Sequence, residues 1–451
     1  MMFNSIKRVY FIGIGGIGMS GLARYFHQRG CLVCGYDRTE TDLTHSLLAE
    51  GINIIFTDDE NLVPISFQEP DEETLIIYTP AIPTESSILN FFKNQGFELK
   101  KRAEVLGIIS EGMFCVAIAG THGKTTTSSM LAHILTASGK ACSAFLGGIA
   151  SNYNSNVLFG TSNILVVEAD EYDRSFLTLH PNIAVITSMD ADHLDIFGDS
   201  ENLTESFQLF ASQVNPQGKL ITKSGLAVVG NYTYSSSQSA QIEAQHVRIS
   251  QGQFVFDFVS PELNISNITL GLPGLHNVEN ALAAIQVALL LDCTPEQIKG
   301  ALATFKGVKR RFELVVKNDK HVYIDDYAHH PEELKACITA VKSLYPDKKL
   351  ITIFQPHLFS RTRDFADGFA QALSMSDALW MLDIYPAREL PIEGVNAELI
   401  FHKTTLAERH LFTKNEVLGQ VRAKMPELLL TVGAGDIDTL VEPLKNILSH
   451  D

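Results

Sequence analysis

The chain is short of basic charge, of cysteine and of long apolar runs, and each shortage excludes something. Lys and Arg number 35 against 52 Asp and Glu, a formal net charge of −17. A basic coat for nucleic acid is therefore excluded, and only local basic pockets remain. No apolar stretch reaches the ~20 residues that span a bilayer. The start, Met1-Met2-Phe3-Asn4-Ser5-Ile6-Lys7-Arg8, runs into a strand without a secretory pattern. The expectation is a cytoplasmic protein with no membrane insertion. The six cysteines are scattered. Their one CxxC, Cys31 to Cys34, lies in an apolar stretch that reads as a buried strand, not as the helix start a redox site needs. Charge is too sparse, at 19%, and apolar residues too frequent, at 45%, for wholesale disorder. At roughly 150 residues per domain, the length suggests about three domains.

Three blocks follow along the chain, each opening on a strand. The first begins Arg8-Val9-Tyr10-Phe11-Ile12, passes Gly13-Ile14-Gly15-Gly16-Ile17-Gly18 into a helix, and returns as a strand ending at Asp37. A later strand, Thr74–Tyr78, leads into Thr79-Pro80-Ala81-Ile82. Alternation of strand and helix predicts a parallel sheet. The second block starts at Phe114–Ala119, with further strands at Ile164–Val167 and Ile183–Ile186. Around 220–272 the pattern shifts to period two, with Phe254, Phe256 and Phe258 alternating after Gln251-Gly252. That reads as a hairpin and a small antiparallel patch on the parallel sheet. The third block carries strands at Val322–Ile324, Leu350–Phe354, Ala378–Leu382 and Leu428–Val432, separated by helical stretches. The fold class expected is α/β in three domains: Rossmann-like at 1–104, a P-loop ATPase type with the antiparallel patch at 105–308, and Rossmann-like at 309–451.

The strongest chemical signal is Gly120-Thr121-His122-Gly123-Lys124-Thr125-Thr126-Thr127 after a buried strand. The upstream glycine sits closer to Gly123 than the usual phosphate-loop spacing. Strand, glycine-rich turn and helix N-terminus still point backbone N–H groups at phosphate oxygens. Lys124 would neutralise the β/γ-phosphates and Thr125 would join magnesium. As a point charge on phosphates, Lys124 is expected to be dispensable for folding. Glu168-Ala169-Asp170-Glu171-Tyr172-Asp173 closes a parallel strand, where open α/β sheets place ligands. Glu168, first off the strand, is the expected hard-oxygen ligand. Glu171 and Asp173 read equally well as a solvated acidic turn. Asp190-Ala191-Asp192-His193 follows the next strand, which suggests a metal or phosphate role for His193.

Gly13-x-Gly15-x-x-Gly18 with Asp37 at the second strand end is a dinucleotide fingerprint. Taken literally it predicts NAD, and with it a nicotinamide-dependent dehydrogenase. Its physics requires only a pyrophosphate on the helix N-terminus, and a UDP-sugar carries one. In the third block, Lys309-Arg310-Arg311, Asp325-Asp326-Tyr327-Ala328-His329-His330 and Gln355-Pro356-His357-Leu358-Phe359-Ser360-Arg361-Thr362-Arg363 place basic residues after parallel strands. They suit a γ-phosphate or a substrate carboxylate. Arg363 and His330 also read as surface and helix-cap residues.

These motifs, with Gly274-Leu275-His276-Asn277-Val278-Glu279-Asn280-Ala281, stand in the order found in Mur ligases, and the chain resembles that family over its whole length. The resemblance implies ATP-dependent amide ligation through an acyl phosphate, joining L-alanine to the lactyl carboxylate of UDP-N-acetylmuramate. A family relative that adds a recycled tripeptide to the same sugar nucleotide is the alternative, and an ATP-driven regulatory protein a further one. The resemblance assigns ATP to Gly120, Thr121, His122, Gly123, Lys124, Thr125, Thr126, His276, Asn277, Asn280, Arg311 and Asp326. It assigns magnesium, or manganese in its place, to Thr125, Glu168 and His193. The UDP-sugar falls to Gly15, Gly16, Ile17, Gly18, Met19, Ser20, Asp37, Thr79 and Ala81. The amino acid falls to Tyr327, His329, His357 and Arg361, with His329 and His357 orienting the amine. A monomer or homodimer is expected. Leu358 stands where the pattern leads one to expect a basic residue, and Ala328 where it often has Gly. Sibling ligases carry a carbamylated lysine downstream of the metal histidine. From Leu194 to Gly218 this chain has neither Lys nor Arg, and Gln208 lies near that position.

Overall fold

Val9-Tyr10-Phe11-Ile12 is apolar on both faces, as a central parallel strand must be. In the computed structural model, which describes Phe3, residues 5–190, 200–387 and 389–449, Val9 and Phe11 enter one core, while Tyr10 and Ile12 enter another with Phe67 and Phe92. The N-terminal sheet comprises β1 (Arg8–Ile12), β2 (Leu32–Tyr36), β3 (Asn53–Ile55), β4 (Thr74–Tyr78) and β5 (Leu99–Lys101), in the order β3-β2-β1-β4-β5. Every pairing in it is parallel. The strand order reverses at β1, so the loops after β1, β2 and β4 share one sheet edge.

The central sheet has ten strands: β6 (Phe114–Ala119), β7 (Ser143–Ala150), β8 (Ser155–Leu158), β9 (Ile164–Glu168), β10 (Ile183–Ile186), β11 (Lys219–Lys223), β12 (Tyr232–Ser235), β13 (Ile242–Ser250), β14 (Gln253–Val259) and β15 (Asn264–Leu270). Their order is β15-β14-β13-β12-β11-β10-β6-β9-β7-β8. β6 lies between β10 and β9, parallel to both. The glycine-rich loop is thereby flanked by the loops that follow β9 and β10. The antiparallel patch is smaller than the sequence suggests. β11, β12 and β13 continue the parallel register, and direction first reverses at the two-residue turn Gln251-Gly252, then again between β14 and β15, where Ser260 N donates to Leu263 O at 3.0 Å. Gln251 and Gly252 both have positive φ, +52° and +73°, as a twist-matched hairpin requires. A further antiparallel pair, β7 with β8, forms the other edge.

The C-terminal sheet comprises β16 (Glu313–Lys317), β17 (Val322–Asp326), β18 (Leu350–Phe354), β19 (Ala378–Met381), β20 (Arg409–Leu411) and β21 (Leu428–Val432), in the order β16-β17-β21-β18-β19-β20. β16 is antiparallel and the rest parallel. Its core gathers Tyr323, Ile353, Trp380 and Leu429. By contacts the chain divides into two compact units. One holds the N-terminal sheet and most of the central one; the other holds residues 306–451 with the 246–256 and 269–278 segments. Within the first unit a single apolar cluster runs from Val9 and Phe11 to Cys115, Ala117 and Val167. All six cysteines are buried as free thiols, and Cys34 stands on β2. Among the described residues no helix is long and apolar enough to cross a membrane.

Candidate active site

Gly123 precedes helix Lys124–Ala137 with φ +82°, and a Cβ there would meet Asn280 Oδ1 at 2.7 Å. The conformation and the close approach both favour glycine. The loop is held from the side by Thr187 and Ser188, which the motif reading passed over. Ser188 Oγ accepts from His122 N at 2.6 Å and lies 2.9 Å from Thr121 Oγ1, and Thr187 Oγ1 donates to Ala119 O at 3.1 Å. Both follow β10, so the signal was their place at the same sheet edge. Thr125 and Thr126 are buried in the first helical turn.

Lys124 does not stand out in solvent. Its Nζ donates to Gly120 O at 2.6 Å and pairs with Glu171 Oε2 at 2.8 Å; the lysine side chain is 13% exposed and that of Glu171 1%. Burial pushes the ammonium toward its neutral form, but Glu171, Glu168 and Asp170 outweigh this and raise its pKa. Two expectations are corrected here. Glu171 is a buried counter-ion, not part of a solvated turn, and Lys124 belongs to the packing of its loop as well as to its charge.

Glu168 ends β9. Its Oε1 accepts from Thr125 Oγ1 at 3.1 Å and its Oε2 from Gly147 N at 2.9 Å. A Cβ on Gly147 would collide with this carboxylate. Thr125 and Glu168 are thus brought together as hard oxygen donors, a pair that fits magnesium with its waters retained. Asp192 and His193 lie outside the described residues.

At the N-terminal edge, Asp37 Oδ2 accepts from Gly15 N at 2.7 Å. Thr79 Cγ2 packs where a Cβ on Gly13 would come within 2.6 Å, and Ala81 is exposed in the same loop. Helix Ile17–Gln28 starts at Gly16 with no side-chain cap and no acid in its first turn. Its open N–H groups suit an anion. Two residues of the expected sugar-nucleotide set are buried. Met19 is in the core, and the Ser20 hydroxyl donates to Ile17 O at 2.9 Å and accepts from Asn156 Nδ2 at 3.0 Å. Sequence reasoning missed Arg102, whose guanidinium lies over Gly18 with Nη2 3.5 Å from Asp170 Oδ2.

In the C-terminal sheet, β17 ends in Asp325 and Asp326. Asp326 accepts from Phe312 N at 2.6 Å and Ala328 N at 2.7 Å. Burial pushes its carboxyl up to about 6 against the pull of Arg311 and those N–H groups. Burial does the same to Asp325, against Arg310 at 3.3 Å. Both arginines lie over the Tyr327 ring, at 5.2 and 5.1 Å. His329 Nδ1 donates to Tyr327 O across 2.9 Å, and its ring is 6.1 Å from that of His357. Burial lowers the His329 pKa; Glu333 opposes this and Arg361, on the neighbouring helix Phe359–Asp364, reinforces it. Tyr327, His329, His357 and Arg361 are therefore gathered at one edge.

Two further residues join this edge that the sequence left unmarked. Tyr385 stacks on His357 at 5.9 Å and 17°, and Glu389 accepts from Ser360 N at 2.9 Å. Tyr385 follows the end of β19, the signal that marked the other loops. His330 caps helix Pro331–Leu344, and Arg363 pairs with Asp364 at the surface. His276 packs over Gly274, and Asn277 Nδ2 donates to Pro273 O at 2.6 Å.

The family profile described as Mur ligase family, catalytic domain, matches residues 8–113, that of the Mur ligase middle domain residues 118–288, and that of the Mur ligase, glutamate ligase domain residues 310–437. The UDP-N-acetylmuramate–L-alanine ligase of Flavobacterium johnsoniae is 49% identical over 451 residues, covering 100% of both chains. That of Parabacteroides distasonis is 50% identical over 456 residues, covering 99% of this chain and 98% of its own. The crystal structure of the Thermotoga maritima UDP-N-acetylmuramate-alanine ligase superposes with a TM-score of 0.81 at 25% identity, over 98% of each chain. With three profiles in register and these identities over the full length, the chain belongs to the Mur ligase family.

Proposed function

We propose that the chain joins L-alanine to the lactyl carboxylate of UDP-N-acetylmuramate at the expense of ATP, in the synthesis of peptidoglycan precursors. The observation that carries this reading is the full-length identity of about half to relatives that bear that activity in their names. The tripeptide-adding alternative has less support: a murein peptide ligase from Psychrobacter arcticus matches at 21% identity, a likeness of fold alone. A dehydrogenase would leave Lys124, Thr125 and Glu168 without a task.

A carboxylate is a poor electrophile, so the reaction needs a phosphoryl group placed on it before the amine attacks. Lys124 supplies positive charge for the transferring phosphoryl group, and Arg311 is assigned the same task. Thr125, Glu168 and His193 would hold magnesium, whose charge would offset that of the phosphates. The N–H groups of Ile17 and Gly18, at the start of the helix, suit the sugar-nucleotide pyrophosphate, with Asp37 fixing the loop. The depressed pKa of His329 keeps its imidazole neutral near pH 7, able to take a proton from the alanine ammonium. Arg361 suits the alanine carboxylate. Three domains bounded at 104/105 and 308/309, a cytoplasmic location and a monomer or homodimer complete the proposal.

The test is ADP release with UDP-N-acetylmuramate, with and without L-alanine, and with the tripeptide in its place. ADP release that depends on L-alanine is expected. Release that depends on the tripeptide alone would reassign the amine substrate.

A further inference from the structure

We propose that Glu171 is the resident counter-ion of the phosphate-loop lysine, a placeholder that nucleotide phosphates must displace, and that it thereby sets the affinity for ATP. The proposal rests on the reading of Lys124 as the ammonium that meets those phosphates.

The geometry is that of an occupied cation. A lysine ammonium has three protons and no acceptor. Here one goes to Gly120 O at 2.6 Å and one to the Glu171 carboxylate, whose oxygens lie at 2.8 and 3.0 Å. Thr121 O is a further, long neighbour at 3.5 Å. The ammonium is drawn back onto its own loop, so it has at most one proton for a phosphate until Glu171 releases it. Glu171 cannot follow it outward, because its side chain is 1% exposed. The neighbouring acids add to the field at Lys124, but both have other partners. Glu168 is engaged by Thr125 and Gly147, and Asp170 faces Arg102.

The energetic consequence has a definite sign. In the absence of nucleotide a buried ammonium needs a counter-charge, and Glu171 supplies it. When the triphosphate arrives, the same carboxylate competes for Lys124 and repels the incoming anion. Both effects oppose binding. Glu171 is a positioning residue: it acts on the nucleotide through Lys124.

The experiment is equilibrium binding of magnesium with a non-hydrolysable ATP analogue to the full chain. Glu171→Gln removes the charge and should lower the Kd roughly three- to tenfold, the range expected of a partly desolvated ion pair. Glu171→Asp draws the carboxylate back by one methylene and should lower it about two- to threefold, so the order is wild type, Asp, Gln. The KM for L-alanine should not move. A merely structural role would weaken every substrate and give no such order. An unchanged or raised Kd in whichever variant folds, judged by near-UV circular dichroism, overturns the proposal. Lys124→Met separates the two readings: if it binds the analogue as tightly as wild type, the assignment of Lys124 itself is wrong.

Discussion

The guanidinium of Arg102 occupies the space that a side chain at position 18 would need: a Cβ on Gly18 would collide with Nη1 and lie 3.0 Å from Cδ. The third glycine of a dinucleotide fingerprint ordinarily serves close packing of helix on strand. Here it seats a cation at a helix N-terminus that has no acidic cap. Gly18→Ala should therefore leave the melting temperature within a few degrees, because a flexible guanidinium can swing aside. It should weaken UDP-N-acetylmuramate binding on the order of tenfold, by displacing a charge-assisted contact. Calorimetric titration of this variant beside Arg102→Ala checks it. Equal losses are expected, and undiminished binding in both would remove Arg102 from the site.

The Lys124–Glu171 pair makes a prediction about stability. Lys124→Ala should abolish ADP release. It should also destabilise the fold by about 3 kcal/mol, because it strands a buried carboxylate. Adding Glu171→Gln should restore most of the stability and none of the turnover. Chemical denaturation of the wild type, both single variants and the double variant gives the coupling. Additive effects would mean the two charges do not sense each other.

His133 illustrates a histidine that serves the fold. Its ring nitrogens lie 2.9 Å from Tyr153 Oη and 3.1 Å from Thr304 Oγ1, and burial lowers its pKa. A base whose folded pKa is depressed binds fewer protons folded than unfolded. Its contribution to stability is therefore complete above the unfolded value of about 6.5 and is lost as pH falls below it. The unfolding free energy should decline from about pH 6.5 downward, and His133→Gln should flatten that slope by up to one proton. An unchanged slope in the variant would place the acid sensitivity elsewhere.

Leu358 has φ +70° and ψ 137°, a conformation that non-glycine residues avoid. Its N–H donates to Tyr385 O at 3.0 Å, and Tyr385 stacks on the adjacent His357. The strain, about 1–3 kcal/mol, fixes the turn that presents His357. Leu358→Gly should raise stability by about 1 kcal/mol and raise the KM for L-alanine, as the imidazole loses its fixed setting. Thermal unfolding and steady-state kinetics on one preparation check both, and a fall in melting temperature would mean the leucine side chain contributes more than the strain costs.

Much of this was legible in the residues, for physical reasons. The glycine-rich turns announce themselves because the positive φ of Gly123 and Gly252 strongly favours glycine. The loops that bear chemistry follow apolar runs such as Phe114–Ala119 and Leu350–Phe354, since parallel strands deliver their residues to one edge. Partners distant in sequence were not legible. Nothing near Gly18 announces Arg102, and nothing in Glu171 distinguishes a solvated acid from a counter-ion until β9 is set beside β6. Period-two alternation likewise reports two faces of a strand and not its direction, which is why the antiparallel patch could be placed around 220–272 but its limits could not: β11 and β12 pair in parallel.

The absence of a lysine gives the last prediction. A carbamylated lysine adds a fixed carboxylate to a metal site, and it requires an amine at the right place on the helix after the metal loop. Helix Ser200–Ser212 offers none: Gln208 is exposed, and neither Lys nor Arg occurs from Leu194 to Gly218. A glutamine amide forms no carbamate and carries no charge. The nearest amine beyond, Lys219, begins β11 and is committed to the sheet. Turnover should therefore be the same in degassed and bicarbonate-supplemented buffer, and Gln208→Ala should change it by less than about twofold, as surface substitutions do. Activity lost on degassing and restored by bicarbonate would show that another amine, outside this helix, fills the role.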